Sequence, residues 1–257
     1  MRTSAVTPPV TAESQRAPAA VEKLADELMA SDGVEAVVVG GSRAIGRTTD
    51  RSDWDIGVYY RAEIDLSALR RRGEVHAPGS WGRLMNGGAW LEVEGLALDV
   101  LLRDLDAVEH WTTEAGAGRF AMDGLPGYVA GIPTYSLAAE ASVAVLLRGD
   151  LQRPKEFPDA LVDAGATKWR LNRDFSLYHA SMHARRGNAV PVAGQLARAV
   201  LEEAHARACA SRRWVLNEKH LLDAVEMSAW TASFFPLRPQ DLPEWVADTG
   251  ERLASGR

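Results

Sequence analysis

The chain has 257 residues, which is enough for one large or two modest domains, and we expect two. Hydrophobic residues make up 46% and charged residues 25% of it, the proportions of an ordinary globular protein. No apolar run approaches the roughly 18 residues that a membrane span needs, so no membrane partner is expected. Residues 1–17 lack the apolar core of a signal peptide and are interpreted as a flexible tail. Cys209 is the only cysteine, which excludes an intrachain disulfide and favours a cytoplasmic location.

The net charge of −6 is concentrated in the N-terminal half of the sequence. Residues 1–133 carry 20 acidic and 13 basic side chains, whereas residues 134–257 carry 15 and 16. A protein that binds long nucleic acids more often presents a basic surface, so nucleic acid is the less favoured partner. The distribution favours a small cationic or polyhydroxyl molecule instead.

The first elements of the chain lead into a glycine-rich turn. Apolar residues recur at helical spacing over residues 21–29, which predicts an amphipathic helix. The β-branched run Val34–Val39 then predicts a buried strand. The strand ends at Gly40, Gly41 and Ser42. Backbone N–H groups without a neighbouring Cβ, together with one hydroxyl, are suited to binding a phosphate.

A second apolar strand is predicted from Asp55 onward, with Asp53 just ahead of it. Side chains alternate along a strand, so Asp53 and Asp55 point to one face while Trp54 points to the other and is expected in the core. Two carboxylates on one face can share a magnesium ion. After this strand, residues 63–72 predict a short helix. Residues 81–90 predict a glycine-rich loop, either an active-site flap or the approach to a hairpin.

A third carboxylate follows in the next strands. Residues 90–102 predict two short strands around a turn at Glu94 and Gly95, and Asp99 lies inside the second apolar run. An isolated ionised carboxylate is costly there, whereas a metal or a reacting hydroxyl gives it a partner. Three carboxylates around one or two magnesium ions can neutralise a nucleoside triphosphate and align its α-phosphate.

The rest of the chain is predicted to be mainly helical. A helix over residues 103–113 and a connector over residues 116–133 lead to a helical domain at residues 134–257. Its helices are predicted at residues 136–147, 159–186 and 192–212. Glu140 lies in an apolar stretch near the start of this domain. It is a second candidate general base, or an ordinary residue on a helix surface.

Three elements occur in a fixed order along the sequence: Gly41 with Ser42, Asp53 with Asp55, and Asp99. This set resembles the nucleotidyltransferase superfamily, which includes DNA polymerase β and the aminoglycoside and lincosamide nucleotidyltransferases. The resemblance extends to residues 214–219, which are similar to the segment by which streptomycin-type adenylyltransferases bring a lysine, here Lys219, to the triphosphate. The order of the three elements makes the resemblance specific, since a glycine-serine pair alone is common.

The resemblance implies an α+β fold, with a nucleotidyltransferase domain over residues 18–133 built on a small mixed sheet flanked by helices. An all-α helical bundle is expected after it. The resemblance also implies Mg²⁺ as cofactor and ATP, or another nucleoside triphosphate, as co-substrate. In this family the first two aspartates bind magnesium. The third is a metal ligand in some members and the general base in others, so both roles stay open for Asp99.

Three functions are compatible with these residues. The first is transfer of AMP to a hydroxyl of a small molecule, such as an antibiotic of the aminoglycoside or lincosamide type. The second is transfer to RNA or protein, as in toxin-neutralising members of the superfamily, and the third is a non-catalytic nucleotide-binding module. The presence of all three carboxylates favours catalysis, and the acidic charge favours the small acceptor.

Overall fold

The computed structural model describes residues 17–46, 52–154 and 156–230. The flexible tail predicted for the N-terminus therefore lies outside the described residues, apart from Ala17. None of the helices within the described ranges is long and apolar enough to cross a membrane.

The described residues divide into two compact units. The first contains the residues up to Met122 together with Pro133–Ala160. The second contains Asp123–Ile132 together with the residues from Leu161 onward. The chain thus passes between the units three times, within the segment that the sequence predicted as a connector and again at the start of the first long helix.

A mixed six-stranded sheet is the centre of the first unit, as the sequence predicted. In chain order its strands are β1 (Val34–Val39), β2 (Trp54–Tyr60), β3 (Val75–His76), β4 (Gly87–Val93), β5 (Leu96–Asp104) and β8 (Val145–Gly149). Across the sheet the order is β3-β4-β5-β2-β1-β8. β2 and β5 run parallel, and every other neighbouring pair is antiparallel. β6 (Met122–Asp123) and β7 (Ile132–Pro133) form a separate two-stranded sheet.

The strand β8 explains why the units differ from the division predicted at residue 134. The predicted helix over residues 136–147 ends earlier, and the chain then pairs with β1 as an edge strand. An apolar run of five residues is too short for its periodicity to distinguish a strand from a helix. Residues 133–160 therefore belong with the sheet.

Within its described residues the first unit has six helices, and several of them are a single turn long. They are α1 (Ala19–Met29), α2 (Gly41–Ala44), α3 (Ser67–Arg70), α4 (Gly82–Met85), α5 (Leu105–Gly116) and α6 (Ser136–Val143). The start of α5 is capped by Asp104, whose carboxylate accepts the backbone N–H of Asp106 at 2.9 Å. α1 and α5 confirm the helices predicted over residues 21–29 and 103–113, with small shifts at their ends.

One face of the sheet is apolar and holds the main core. Alternate side chains of the central strands are fully buried there, among them Val37, Val58 and Val100. Leu24 and Leu28 of α1 pack against them. Complete burial of each aliphatic side chain stabilises the fold by about 1.5–3 kcal/mol. Since strand side chains alternate, the opposite face is free to carry polar residues.

The short helix predicted over residues 63–72 was too long. Only the four residues of α3 are helical. The carboxylate of Asp65 accepts the backbone N–H of Ser67 at 2.9 Å and its hydroxyl at 2.6 Å. This local hydrogen bonding holds the preceding residues in a turn and competes with the helix.

The loop predicted over residues 81–90 is replaced by a helix and the start of a strand, although the alternative that this segment leads into a hairpin agrees with the antiparallel pairing of β4 and β5. α4 fills the first part, and β4 begins at Gly87. Two glycines allow the strand to pass close to its neighbours, since a Cβ at Gly88 would lie 2.0 Å from the carbonyl oxygen of Val100. Glycines that suggest mobility in the sequence are here required by close packing of backbones.

The second unit is helical, in agreement with the prediction for the C-terminal half. It is built on α7 (Asp159–Ala184), α8 (Ala189–Ala210) and the short α9 (Leu221–Ala224). Arg173 of α7 pairs with Glu203 of α8 at 2.5 Å. The rings of Trp169 and His205 stack with their centroids 4.2 Å apart. The long helices predicted at residues 159–186 and 192–212 are thus confirmed.

Candidate active site

The glycine-rich turn after β1 packs directly against Asp55. The N–H of Gly40 donates to the carbonyl oxygen of Asp55 at 2.8 Å. Gly41 then begins α2 with a φ of +56°, which favours glycine. A Cβ at Gly41 would lie 1.7 Å from Oδ2 of Asp55. Ser42 follows as the second residue of α2 and is partly buried. The turn predicted to bind phosphate and the first carboxylate of β2 are therefore neighbours.

Asp55 and Asp99 lie side by side on the face of the sheet opposite the main core, which we call the polar face. They are register partners in the parallel pair formed by β2 and β5. Neighbouring strands are about 4.8 Å apart and register partners share a face, so the two carboxylates leave the sheet together. Both residues are partly buried. The structure thus brings together two carboxylates that are 44 positions apart in the sequence.

Asp53 precedes β2 and is exposed. Its carbonyl oxygen accepts Nε of Arg43 at 3.2 Å, and the same guanidinium donates to the carbonyl oxygen of Ser52. Arg43 also lies over the ring of Trp54, 4.2 Å from its centroid. Trp54 is partly buried and packs against the core, as predicted. Arg43 therefore fixes the backbone from which Asp53 projects.

Glu140 forms an ion pair with Arg103 of β5. Its two carboxylate oxygens accept Nε of Arg103 at 2.6 Å and Nη2 at 2.9 Å. Arg103 is only 2% exposed, and it also donates to the carbonyl oxygens of Met85 and Leu102 at 2.9 and 3.0 Å. Every described contact of the Glu140 carboxylate is thus with a buried cation. Such a pair is costly to break, because the remaining charge is left buried without a partner.

The charges of Glu140 and Arg103 also affect the pKa of Tyr59. Tyr59 and Arg103 are register partners, so Tyr59 lies on the same face as Asp55 and Asp99. Burial and, after it, the negative charge of Glu140 raise the pKa of the Tyr59 phenol, and the charge of Arg103 opposes them. The phenol therefore stays protonated at every pH at which the protein would act.

Lys219 belongs to the second unit. It is exposed and lies on a turn just before α9, where its backbone N–H donates to Oδ1 of Asn217 at 2.9 Å. Glu218 accepts the backbone N–H groups of Val129 and Ala130, each at 2.7 Å. The segment that resembles the lysine-bearing element of adenylyltransferases is thus a structured turn, with Glu218 directed inward and Lys219 outward.

The donor atoms near Asp55 are of the kind that a magnesium ion prefers. Mg²⁺ binds carboxylate oxygens and retains several waters, so one or two protein carboxylates are sufficient to hold it beside a substrate phosphate. Asp55 and Asp99 supply such a pair, and Asp53 lies just ahead of the strand that carries Asp55. Across residues 17–46, 52–154 and 156–230, no three acidic, histidine or cysteine side chains form a cluster that could hold an ion. The fit therefore rests on Asp55 with one further carboxylate, either Asp99 beside it or Asp53 two residues ahead of it.

Sequence reasoning missed two arginines that position the site. Arg43 and Arg103 act through partners that are distant in the sequence, and no motif marks them. Arg103 lies four residues after Asp99 on β5 and so shares its face, but the predicted strand ended at residue 102 and a helix was predicted from residue 103. A positive charge inside an apolar strand calls for an acidic partner.

Comparison with known proteins adds no assignment to this geometry. No protein-family model matches the chain, and no curated protein sequence matches it.

Proposed function

We propose that the protein is a metal-dependent nucleotidyltransferase that transfers a nucleoside monophosphate to a hydroxyl group of a small molecule, with ATP as the expected donor. The observation that carries the proposal is the register pairing of Asp55 with Asp99, next to a glycine turn packed on Asp55. A phosphate-sized turn beside paired carboxylates has the components that phosphoryl transfer needs, which are positioning and charge neutralisation.

Each residue has a distinct role in this proposal. Asp53 and Asp55 would hold Mg²⁺, which when bound neutralises the triphosphate and stabilises the attacking and leaving oxygens. The backbone of Gly41 and the hydroxyl of Ser42 hold the phosphates. Asp99 completes the metal site or accepts the proton of the acceptor hydroxyl. A bond forms between the acceptor oxygen and the α-phosphorus, the bond to the β-phosphate oxygen breaks, and pyrophosphate leaves.

Asp99 is a better candidate for the general base than Glu140. Both oxygens of Glu140 accept hydrogen bonds from the buried guanidinium of Arg103. Both oxygens are thereby engaged in an ion pair, and breaking that pair would leave the charge of Arg103 buried without a partner. Asp99 lies directly beside Asp55 and is close to any phosphate held there. We therefore assign Glu140 a positioning role.

The proposal also includes the charge of the acceptor and a lysine that contacts the triphosphate. The acidic residues of the first unit disfavour a polyanionic acceptor such as RNA. Lys219 is the proposed contact for the triphosphate, since an exposed ammonium on an ordered turn is suited to binding phosphate as a point charge.

The experiment is a transfer assay with the full chain. The protein is incubated with radiolabelled ATP or GTP, MgCl₂ and a panel of aminoglycosides, lincosamides and bulk tRNA. We expect magnesium-dependent pyrophosphate release together with label in a small acceptor, and neither product with the Asp55→Asn variant. Label in tRNA alone would favour the RNA function instead, provided that the affinity for tRNA falls about a thousandfold between low and moderate salt. No release of pyrophosphate with any acceptor would contradict catalysis.

A further inference from the structure

Three aromatic rings lie together on the sheet next to Asp99. Trp90 of β4 is the register partner of Asp99 in β5, so both side chains leave the same face. The ring centroid of Trp90 is 5.0 Å from that of Trp81 and 5.0 Å from that of His76. Trp81 and His76 are 4.9 Å apart. We call these three residues the aromatic cluster.

The backbone is shaped to hold the aromatic cluster in place. Gly88 is the register partner of His76, and a Cβ at Gly88 would lie 2.8 Å from the ring of Trp81. Trp81 therefore packs directly onto the backbone of β4. Its ring and that of Trp90 are tilted by 38°, and His76 meets Trp90 edge-on at 74°. Rings in mutual contact have few alternative rotamers, so the surface is rigid.

Trp90 is nevertheless 61% exposed. A single exposed apolar side chain is normal on a protein surface, but three contiguous rings beside a carboxylate are not explained by that rule. A rigid, exposed indole face is the kind of surface that binds a ligand, since it offers a large contact area with little loss of conformational entropy.

The order across the sheet places the aromatic cluster on one side of the carboxylates. The turn at Gly41 follows β1, Asp55 lies on β2, Asp99 on β5 and Trp90 on β4. With strands about 4.8 Å apart, Trp90 lies one strand beyond Asp99. The turn at Gly41 lies on the other side. In phosphoryl transfer, the attacking and leaving oxygens are on opposite sides of the phosphorus. The triphosphate side and the acceptor side are therefore separated along the sheet.

We infer that the aromatic cluster binds the acceptor, and that the acceptor is a small uncharged or cationic alcohol with a ring whose face stacks on Trp90. This inference rests on the proposed transferase function, which defines the acceptor side. The ring of the acceptor stacks its flat face on the indole of Trp90, and the hydroxyl of the acceptor points toward Asp99. An anionic ring is disfavoured by Asp55 and Asp99. A sugar ring and an aromatic ring share this stacking chemistry, so the experiment separates them.

The first test measures binding without catalysis. Indole N–H signals are recorded by NMR on the full chain labelled with ¹⁵N-tryptophan, and the Trp90 signal is assigned by its loss in Trp90→Phe. The probes are methyl glucoside, its 2-amino-2-deoxy counterpart, benzyl alcohol and glycerol. We expect a saturable shift of the Trp90 signal with the glucosides or with benzyl alcohol, which identifies the ring type, and none with glycerol. The Trp90 signal unmoved by all ring probes, or moved equally by glycerol, would overturn the inference.

The second test uses whichever acceptor is labelled in the transfer assay. Trp90→Ala is expected to raise the KM for the acceptor by about tenfold and to leave the KM for ATP within about twofold. Trp230→Ala is the matched control, because Trp230 is also an exposed tryptophan, at 48%, and has no role in the proposed site. An acceptor KM unchanged in Trp90→Ala would overturn the inference. If no acceptor is labelled, the transferase proposal fails, and the NMR titration still decides whether the cluster binds rings.

Discussion

An alanine at position 41 is expected to disable the proposed site while the protein stays folded. The added Cβ would lie 1.7 Å from Oδ2 of Asp55, whereas ordinary contact begins near 3.4 Å, so the carboxylate must move by about 1.7 Å. Rotation of Asp55 moves its Oδ2 and Cγ away from the new Cβ, while the Cβ of Asp55, at 3.0 Å, must shift by a few tenths of an ångström. The positive φ of Gly41 adds a cost of about 1–2 kcal/mol for a residue with a Cβ. A misplacement of about 1 Å can lower a rate about a hundredfold.

We therefore expect Gly41→Ala to lower kcat/KM about a hundredfold or more, and the free energy of unfolding by about 1–2 kcal/mol. The assays are magnesium-dependent pyrophosphate release and urea unfolding followed by circular dichroism. Gly40→Ala is the matched comparison. Its φ is −112°, and its Cβ would lie 3.9 Å from the nearest atoms of Asp55, so a much smaller loss is expected. Activity of Gly41→Ala within about threefold of the wild type would refute the reasoning.

Asp53→Asn and Asp55→Asn should each abolish magnesium-dependent turnover, while polar exchanges outside the core usually change stability by less than about 0.5 kcal/mol. Full activity of both variants would refute the metal assignment. Lys219→Ala should weaken ATP binding in calorimetry more than acceptor binding, and an unchanged ATP affinity would argue against a triphosphate contact. Burial lowers the pKa of His205 to about 3, so the unfolded chain, with a histidine pKa near 6.5, binds a proton that the folded protein does not. The free energy of unfolding should therefore fall by about 1.4 kcal/mol per pH unit as the pH drops from 6.5 toward 3. His205→Phe, which keeps a ring against Trp169, should make that slope shallower, and an identical slope would contradict the assignment.

Elements with a strong and undisturbed pattern were predictable from the sequence. The run Val34–Val39 is a strand with the predicted ends, because five of its six residues are buried and β-branched or small. The turn at Glu94 and Gly95 also lies where it was expected. Both residues have positive φ, of 52° and 79°, as a tight two-residue hairpin turn requires. In these places the local chemistry and the tertiary structure demand the same conformation.

The arrangement of the polar face was only partly predictable. Alternation placed Asp53 and Asp55 on one face, but the pairing of Asp55 with Asp99 depends on the strand order and register. Those are set by contacts between distant segments, which a single sequence does not display. The same limit applies to Trp90, which lay at the boundary between the loop predicted over residues 81–90 and the strand predicted from residue 90 onward. Its position beside Asp99 follows from the pairing of β4 with β5 alone.

The ion pair of Arg103 and Glu140 explains how a sheet face with several charges remains stable. Asp99 and Arg103 project from the same face of β5, four residues apart, and a guanidinium that is 2% exposed would be costly without partners. Glu140 provides two acceptors, and two backbone carbonyls provide the others. α6 is thereby fixed to the strand that carries Asp99. Two carboxylates that look equivalent in the sequence thus have different surroundings, because Glu140 neutralises a buried charge and Asp99 lies beside Asp55.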